Sequence, residues 1–191
     1  MDISQTKDDC WGFIFHAYGT IRLFERRAKR LQTGRTWITF LGIVVPVIIG
    51  GVVLAFGTDI ASKDAFKYLL YVAGIVGLIQ LIISTWSIVS RWDEKYEYAM
   101  KSVIENTKLY NECDNYRKRL LNNSPESEDL FEKIKSTKEE LEFKDLGQNI
   151  SDKEKRFAAR SAYFYFKQPC HVCNKIPTDL NPEKCSGCGN F

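Results

Sequence analysis

The sequence lacks the usual marks of an enzyme. It has no Walker-type loop, no Rossmann glycine pattern, no H-E-x-x-H and no nucleophile paired with a base. Catalysis is therefore not expected. Net charge is also scarce: 27 Lys and Arg stand against 24 Asp and Glu, and the resulting +3 is too small for bulk nucleic-acid binding. A cleavable signal peptide is missing as well, because the first 35 residues are polar and charged and the first apolar run begins too late. The N-terminus is expected to be retained.

The absence that says most is of charge within two long runs. The stretch "WITFLGIVVPVIIGGVVLAF", Trp37 to Phe56, has 20 residues and no ionisable side chain. As a helix it would span roughly 30 Å, the thickness of a hydrocarbon core. A second uncharged run, "YLLYVAGIVGLIQLIISTWSIVS", extends from Tyr68 to Ser90. The two are read as transmembrane helices. The short connection Gly57 to Lys67, with two Asp and two Lys, forces them into an antiparallel hairpin.

The flanks suggest an orientation. Arg22, Arg26, Arg27, Lys29, Arg30 and Arg35 gather before the first run, and Arg91 follows the second. By the positive-inside rule both termini are expected on the cytoplasmic side, and the basic cluster can meet the acidic membrane surface. Within the runs, Gly42, Pro46 and Gly50 recur every four residues, and Ala73 and Gly77 repeat the spacing. Small residues at that interval allow close helix approach, either within the hairpin or between protomers. Gln80, the most polar side chain in mid-span, is either a bond between helices or part of a pore lining.

Around the hairpin the pattern is helical. Trp11, Ile14, Phe15, Tyr18 and Ile21 make an amphipathic helix, suited either to the membrane interface or to packing against other helices. His16, without a second ligand at metal spacing, reads as a packing or interfacial residue. From "RWDEKYEYA" a long helix is expected to continue directly from the second span through Leu121, with an incomplete apolar stripe. Ser124 and Pro125 can start a further helix running to about Asp145, and Ser151 with Glu154 form a capping-box pattern that starts another.

Cysteines are few but arranged. Cys170, Cys173, Cys185 and Cys188 form two C-x-x-C pairs separated by 11 residues. Two such turns aim four thiolates at one ion, as in a zinc knuckle. Zinc is the first choice of metal, iron in a rubredoxin-like arrangement the second, and two disulfides the non-metal reading. Four protein thiolates fill the coordination shell, so the site would be structural. His171 could hydrogen-bond or replace a ligand. Pro169, Pro177 and Pro182 keep the tail non-helical, and Gly187 and Gly189 suit its bends. Cys10 and Cys113 stand alone as ordinary helix residues. The run Tyr163, Phe164, Tyr165 and Phe166 either packs over the metal turns or, with Lys153, Lys155, Arg156, Arg160, Lys167, Lys175 and Lys184, offers a surface for single-stranded nucleic acid.

The expected protein is an all-α membrane protein. It comprises an amphipathic helix (1–35), a two-transmembrane hairpin (36–91, spans about 37–56 and 68–90), a cytosolic helical region (92–167) and a four-Cys zinc knuckle or ribbon (168–191). With the hairpin and the "CHVC" and "CSGC" pairs in place, the chain resembles the bacterial mobilome CxxCx(11)CxxC proteins. Its remaining layout is similar to the SLATT class of two-transmembrane effectors. The resemblance implies a role in prokaryotic anti-phage, abortive-infection systems, at the inner membrane. There a homo-oligomer, triggered by a sensor protein or a nucleic-acid-bound complex, would permeabilise the bilayer. The alternative is a membrane-anchored adaptor that tethers a protein or nucleic acid through the knuckle without forming a pore.

Overall fold

The computed structural model describes residues 3–56, 64–121 and 128–191. Five helices follow in order: α1 (Ile3–Phe56), α2 (Asp64–Val89), α3 (Trp92–Leu121), α4 (Glu128–Leu146) and α5 (Asp152–Phe166). Beyond α5 the chain makes turns around its cysteines, and no strand occurs among the described residues. The fold is all-α, with two helices long and apolar enough to cross a membrane and a four-cysteine tail. Most of the connection between the spans and the expected helix start at Ser124 and Pro125 lie outside the described residues.

Two boundaries differ from the sequence reading. The N-terminal helix and the first span are one 54-residue helix, since Gly34 is accommodated mid-helix and Pro46 sits within the apolar run. Conversely, the second span does not continue into the next helix. Ser90 and Arg91 interrupt it, with Arg91 at a φ of 52° in the left-handed region. The amide of Arg91 donates to the Ile88 carbonyl at 3.0 Å, and Lys95 donates back to Arg91 at 3.1 Å to begin α3. A non-glycine residue in this conformation costs about 1–2 kcal/mol, and nothing in its side chain announces it.

The chain forms two compact units, Met1–Arg27 with Tyr98–Phe191, and Ala28–Glu97. In the first, α3 buries Ala99, Ser102, Asn106, Leu109, Cys113, Tyr116 and Leu120. Steps of three and four are the repeat of a helix-packing seam. Ser102 and Asn106 interrupt it for a hydropathy reading. The Asn106 amide donates to the Ser102 carbonyl at 2.9 Å and its hydroxyl at 3.1 Å, so this buried polar group is satisfied within its own helix. From α1 come Cys10, Ile14, Ala17 and Phe24. The ring pairs Tyr18–Tyr110 (6.5 Å) and Phe24–Tyr98 (5.7 Å) run in opposite chain directions, so the two helices are antiparallel here.

Phe131, Ile134 and Leu141 of α4 complete the core, with Phe131 stacked between Tyr116 and Phe13. Each large apolar side chain buried here contributes about 1.5–3 kcal/mol. Burial pushes the thiols of Cys10 and Cys113 up to about 11 and 12, which leaves both inert at neutral pH.

The start of α5 follows its sequence signal. Ser151 Oγ accepts from the Glu154 amide at 3.3 Å, and the Ser151 amide donates to Glu154 Oε2 at 2.9 Å. Glu154 has a second partner that the local pattern does not reveal. Arg27 grips it with two bonds, Nε to Oε1 at 2.6 Å and Nη2 to Oε2 at 2.8 Å, and also donates to the Gln148 and Asn149 carbonyls.

The Arg27 guanidinium, helped by the Ser151 bonds, holds the Glu154 carboxyl down to about 2, from 4.5. Because the folded value lies below the unfolded one, this stabilisation is complete above about pH 5 and is lost as pH falls towards 2. Glu154→Gln is expected to lower stability by about 2 kcal/mol at pH 7, after allowance for partial exposure, and by much less at pH 3. Urea unfolding at the two pH values measures the difference.

The second unit pairs the apolar part of α1 with α2. Gln80 Nε2 donates across to the Ile38 carbonyl at 3.5 Å. A Cβ at Gly42 would lie 2.8 Å from that nitrogen, so Gly42 makes room for the amide. Gln80 therefore reaches between helices. Trp37 opens the first span and Trp86 stands near the end of the second, both exposed, as side chains of an interfacial aromatic belt are. Arg35 pairs with Asp93 at 2.8 Å and lies over the Tyr96 ring. A Cβ at Gly34 would meet the Trp92 ring at 2.7 Å, so this glycine permits close approach of α1 and α3.

Candidate metal centre

The tail begins where Lys167, with φ at 52°, closes α5: its amide donates to Phe164 and the next amide, Gln168, to Tyr163. Two turns then repeat one design. The Asn174 amide donates to the Cys170 carbonyl at 2.8 Å, and the Gly189 amide to the Cys185 carbonyl at 2.9 Å. Within each turn an amide two residues on donates to the first sulfur, Val172 to Cys170 Sγ at 3.5 Å and Gly187 to Cys185 Sγ at 3.3 Å. Each turn leaves through an asparagine in the left-handed region, Asn174 at 55° and Asn190 at 56°, a conformation that Asn tolerates better than most residues.

The glycines serve close approach. A Cβ on Gly187 would lie 2.6 Å from Val172 Cγ2, and one on Gly189 would run into the Glu183 carbonyl.

The result is a cluster. The sulfurs of Cys170, Cys173, Cys185 and Cys188 all lie within 4.8 Å of one another, and Cys173 and Cys188 are 3.9 Å apart. A tetrahedral ion bound at about 2.3 Å would space its sulfurs by about 3.8 Å, so the donor set fits a metal ion. All four cysteines are free thiols, not disulfides. Amides of Cys188 and Gly187 hold the Cys185 thiol down to about 7, while burial pushes Cys188 up. His171 is not in the ligand set: its Nδ1 lies 2.6 Å from the Tyr163 hydroxyl.

One residue ties the cluster to α5. Arg160 is fully buried, with Nε donating to the Asp179 carbonyl at 2.9 Å. Its Nη2 meets Asp179 Oδ1 and Glu183 Oε1, each at 3.1 Å, and Nη1 reaches the Cys188 carbonyl at 3.5 Å. In the sequence it counted among cations for a nucleic-acid surface; in the fold its donors are spent on the tail. Arg156 likewise donates to the Asn190 carbonyl at 3.0 Å. Phe191 packs edge-on to Phe157, with Arg26 over both rings.

The aromatic run divides between two neighbours. Tyr163 packs on the cysteine cluster and also meets Phe15 at 4.9 Å. Tyr165 stacks on Tyr18 at 4.3 Å, and Phe166 meets Trp11 edge-on at 4.9 Å. The amphipathic stripe of α1 thus packs on protein along this length. Of the basic residues expected at a membrane surface, Arg22 pairs with Glu25, Arg27 with Glu154 and Arg35 with Asp93, whereas Lys29 and Arg30 are exposed. Of the small residues, Gly42 meets Gln80, while a Cβ on Gly50 or Gly77 would enter open space; Pro46 is exposed and Ala73 half-buried.

No match is found among curated proteins or solved structures. The family described as Mobilome CxxCx(11)CxxC protein matches residues 7–191, taking in both spans as well as the four clustered cysteines, and the chain belongs to that family.

Proposed function

We propose that the protein is a membrane effector of a bacterial anti-phage system, which assembles into a homo-oligomer and permeabilises or depolarises the inner membrane when a sensor or regulatory partner signals. The observation that carries this is the unused surface of the spans. A Cβ on Gly50, Gly51, Gly74 or Gly77 would touch nothing within 4 Å, and Ile43, Val47, Leu78 and Ile82 are exposed beside them. Small residues open to lipid are where further helices can approach, and one hairpin cannot enclose a pore alone.

The positive charge of Lys29, Arg30 and Arg91 beside the spans supports a cytoplasmic position for both termini. The tail metal is zinc, on its four sulfur donors, in a structural role. Lipid is the first partner and further copies of the chain the second.

Inducible expression of the complete system with a membrane-potential dye tests the reading. The activated wild type should depolarise cells, and Gly50→Leu with Gly77→Leu should suppress the response while the chain remains inserted. Cells that keep their potential and exclude propidium would remove pore formation. The adaptor reading is favoured by Val172 and Ile176, about half exposed on the tail. It requires function to survive exchange of both spans for an unrelated hairpin.

A further inference from the structure

Away from the cysteines, the helical unit contains a cavity of about 980 Å³ between α1, α4 and α5. Gly19 and Leu23 of α1, Leu146 of α4, and Ala158 and Ala159 of α5 supply apolar walls. Gly19 eases the approach of α1 and α5, because a Cβ there would come within 3.1 Å of the Ala158 carbonyl oxygen. A space of this size, apolar with a few polar groups, matches small-molecule sites between helices.

On its polar side three carboxylates outnumber one lysine. Glu139, Glu142 and Asp145, three residues apart in turn on α4, all line it. Glu142 is met by Lys138 at 2.8 Å and lies 3.6 Å from His16 Nδ1. Desolvation beside the packed helices lowers the pKa of His16 from its ordinary value, against the opposing charge of Glu142. Lys155, the lining cation, pairs with Asp152 at 3.5 Å. Asp145 accepts from the Tyr98 hydroxyl at 2.7 Å, and burial raises its carboxyl, an environment that a nearby cation would relieve. Glu139 is exposed at the rim and has no cation against it among the described residues. An anion entering here would face carboxylates and a lysine already engaged.

We infer that this cavity binds a free small organic cation, its apolar body against Leu23, Leu146 and Ala159 and its ammonium or amidinium group on the carboxylate-lined side. The inference does not depend on pore formation. It would give the helical unit a ligand-responsive site.

The full metal-loaded chain in lipid nanodiscs, titrated calorimetrically with tryptamine and with indole-3-acetate against empty discs, tests it. The two probes share a ring and differ in charge. Tryptamine should bind once per chain and about tenfold more tightly than indole-3-acetate. Glu139→Gln should weaken it about three- to fivefold, and Ala159→Trp, which fills the space, should abolish it. The exposed Glu139 variant keeps the test decisive if the tryptophan variant does not fold. No saturable tryptamine heat beyond empty discs, equal or tighter binding of indole-3-acetate, or tryptamine binding unchanged by both substitutions would each overturn the inference.

Discussion

A chain carrying Cys185→Ser and Cys188→Ser is expected to lose the folded tail, residues 168–191, and its bound metal while keeping its helices. The tail's own core is small: its buried cluster is Cys170, Cys185 and Cys188, with Tyr163 and Cys173 against them. For knuckles of this kind the ion supplies about 10–16 kcal/mol of apparent folding free energy, far more than these few contacts. Elemental analysis should fall from one metal per chain towards none, and proteases should cut within 168–191 while helical circular dichroism and membrane insertion persist. Strong chelation of the wild type should do the same, reversibly on returning zinc. A double mutant that keeps its metal and its protected tail would contradict the assignment of the four sulfurs.

The next largest effect is expected at Arg160. Arg160→Met removes four hydrogen bonds to the tail from a side chain with no exposure. The carboxylates of Asp179 and Glu183 are half exposed and can recover water, so the cost falls on the Asp179 and Cys188 carbonyls and on lost packing, about 2–4 kcal/mol. Because Cys188 is itself in the cluster, metal affinity should fall by about 10–100-fold, the usual effect of losing a group that orients a ligand. Arg160→Lys should not rescue it, since one ammonium cannot span two carboxylates and two carbonyls. Competition against a chromogenic chelator measures the affinity, and an unchanged value in Arg160→Met would exclude the orienting role.

These two sites differ in how they could be read beforehand. The cysteines declare themselves by spacing alone, as do the uncharged spans by length and the α5 start by the Ser151 and Glu154 pair. All are local signals, with cause and consequence within one turn or one run. Arg160 acts on residues 19 to 28 positions later, and Arg27 on one 127 positions away, so neither differs in sequence from any surface cation. The seam of α3 is interrupted in sequence because Ser102 and Asn106, bonded to each other, do not resemble core. The break at Arg91 was hidden because it is made by backbone conformation without glycine or proline. The cavity was out of reach for a further reason: it is what three helices leave unfilled, and no single stretch encodes it.

Glu154 has a consequence for how this unit assembles. The same carboxylate that closes the first turn of α5 also receives Arg27 from α1. Initiating the helix and docking it are then thermodynamically linked: an ordered first turn presents the carboxylate to Arg27, and Arg27 in turn favours the ordered turn. Helix formation at this point, ordinarily a local event with an unfavourable nucleus, becomes part of a long-range association. The helix that carries the metal tail at its far end thereby starts on a turn that Arg27, from the opposite end of the sequence, helps to form.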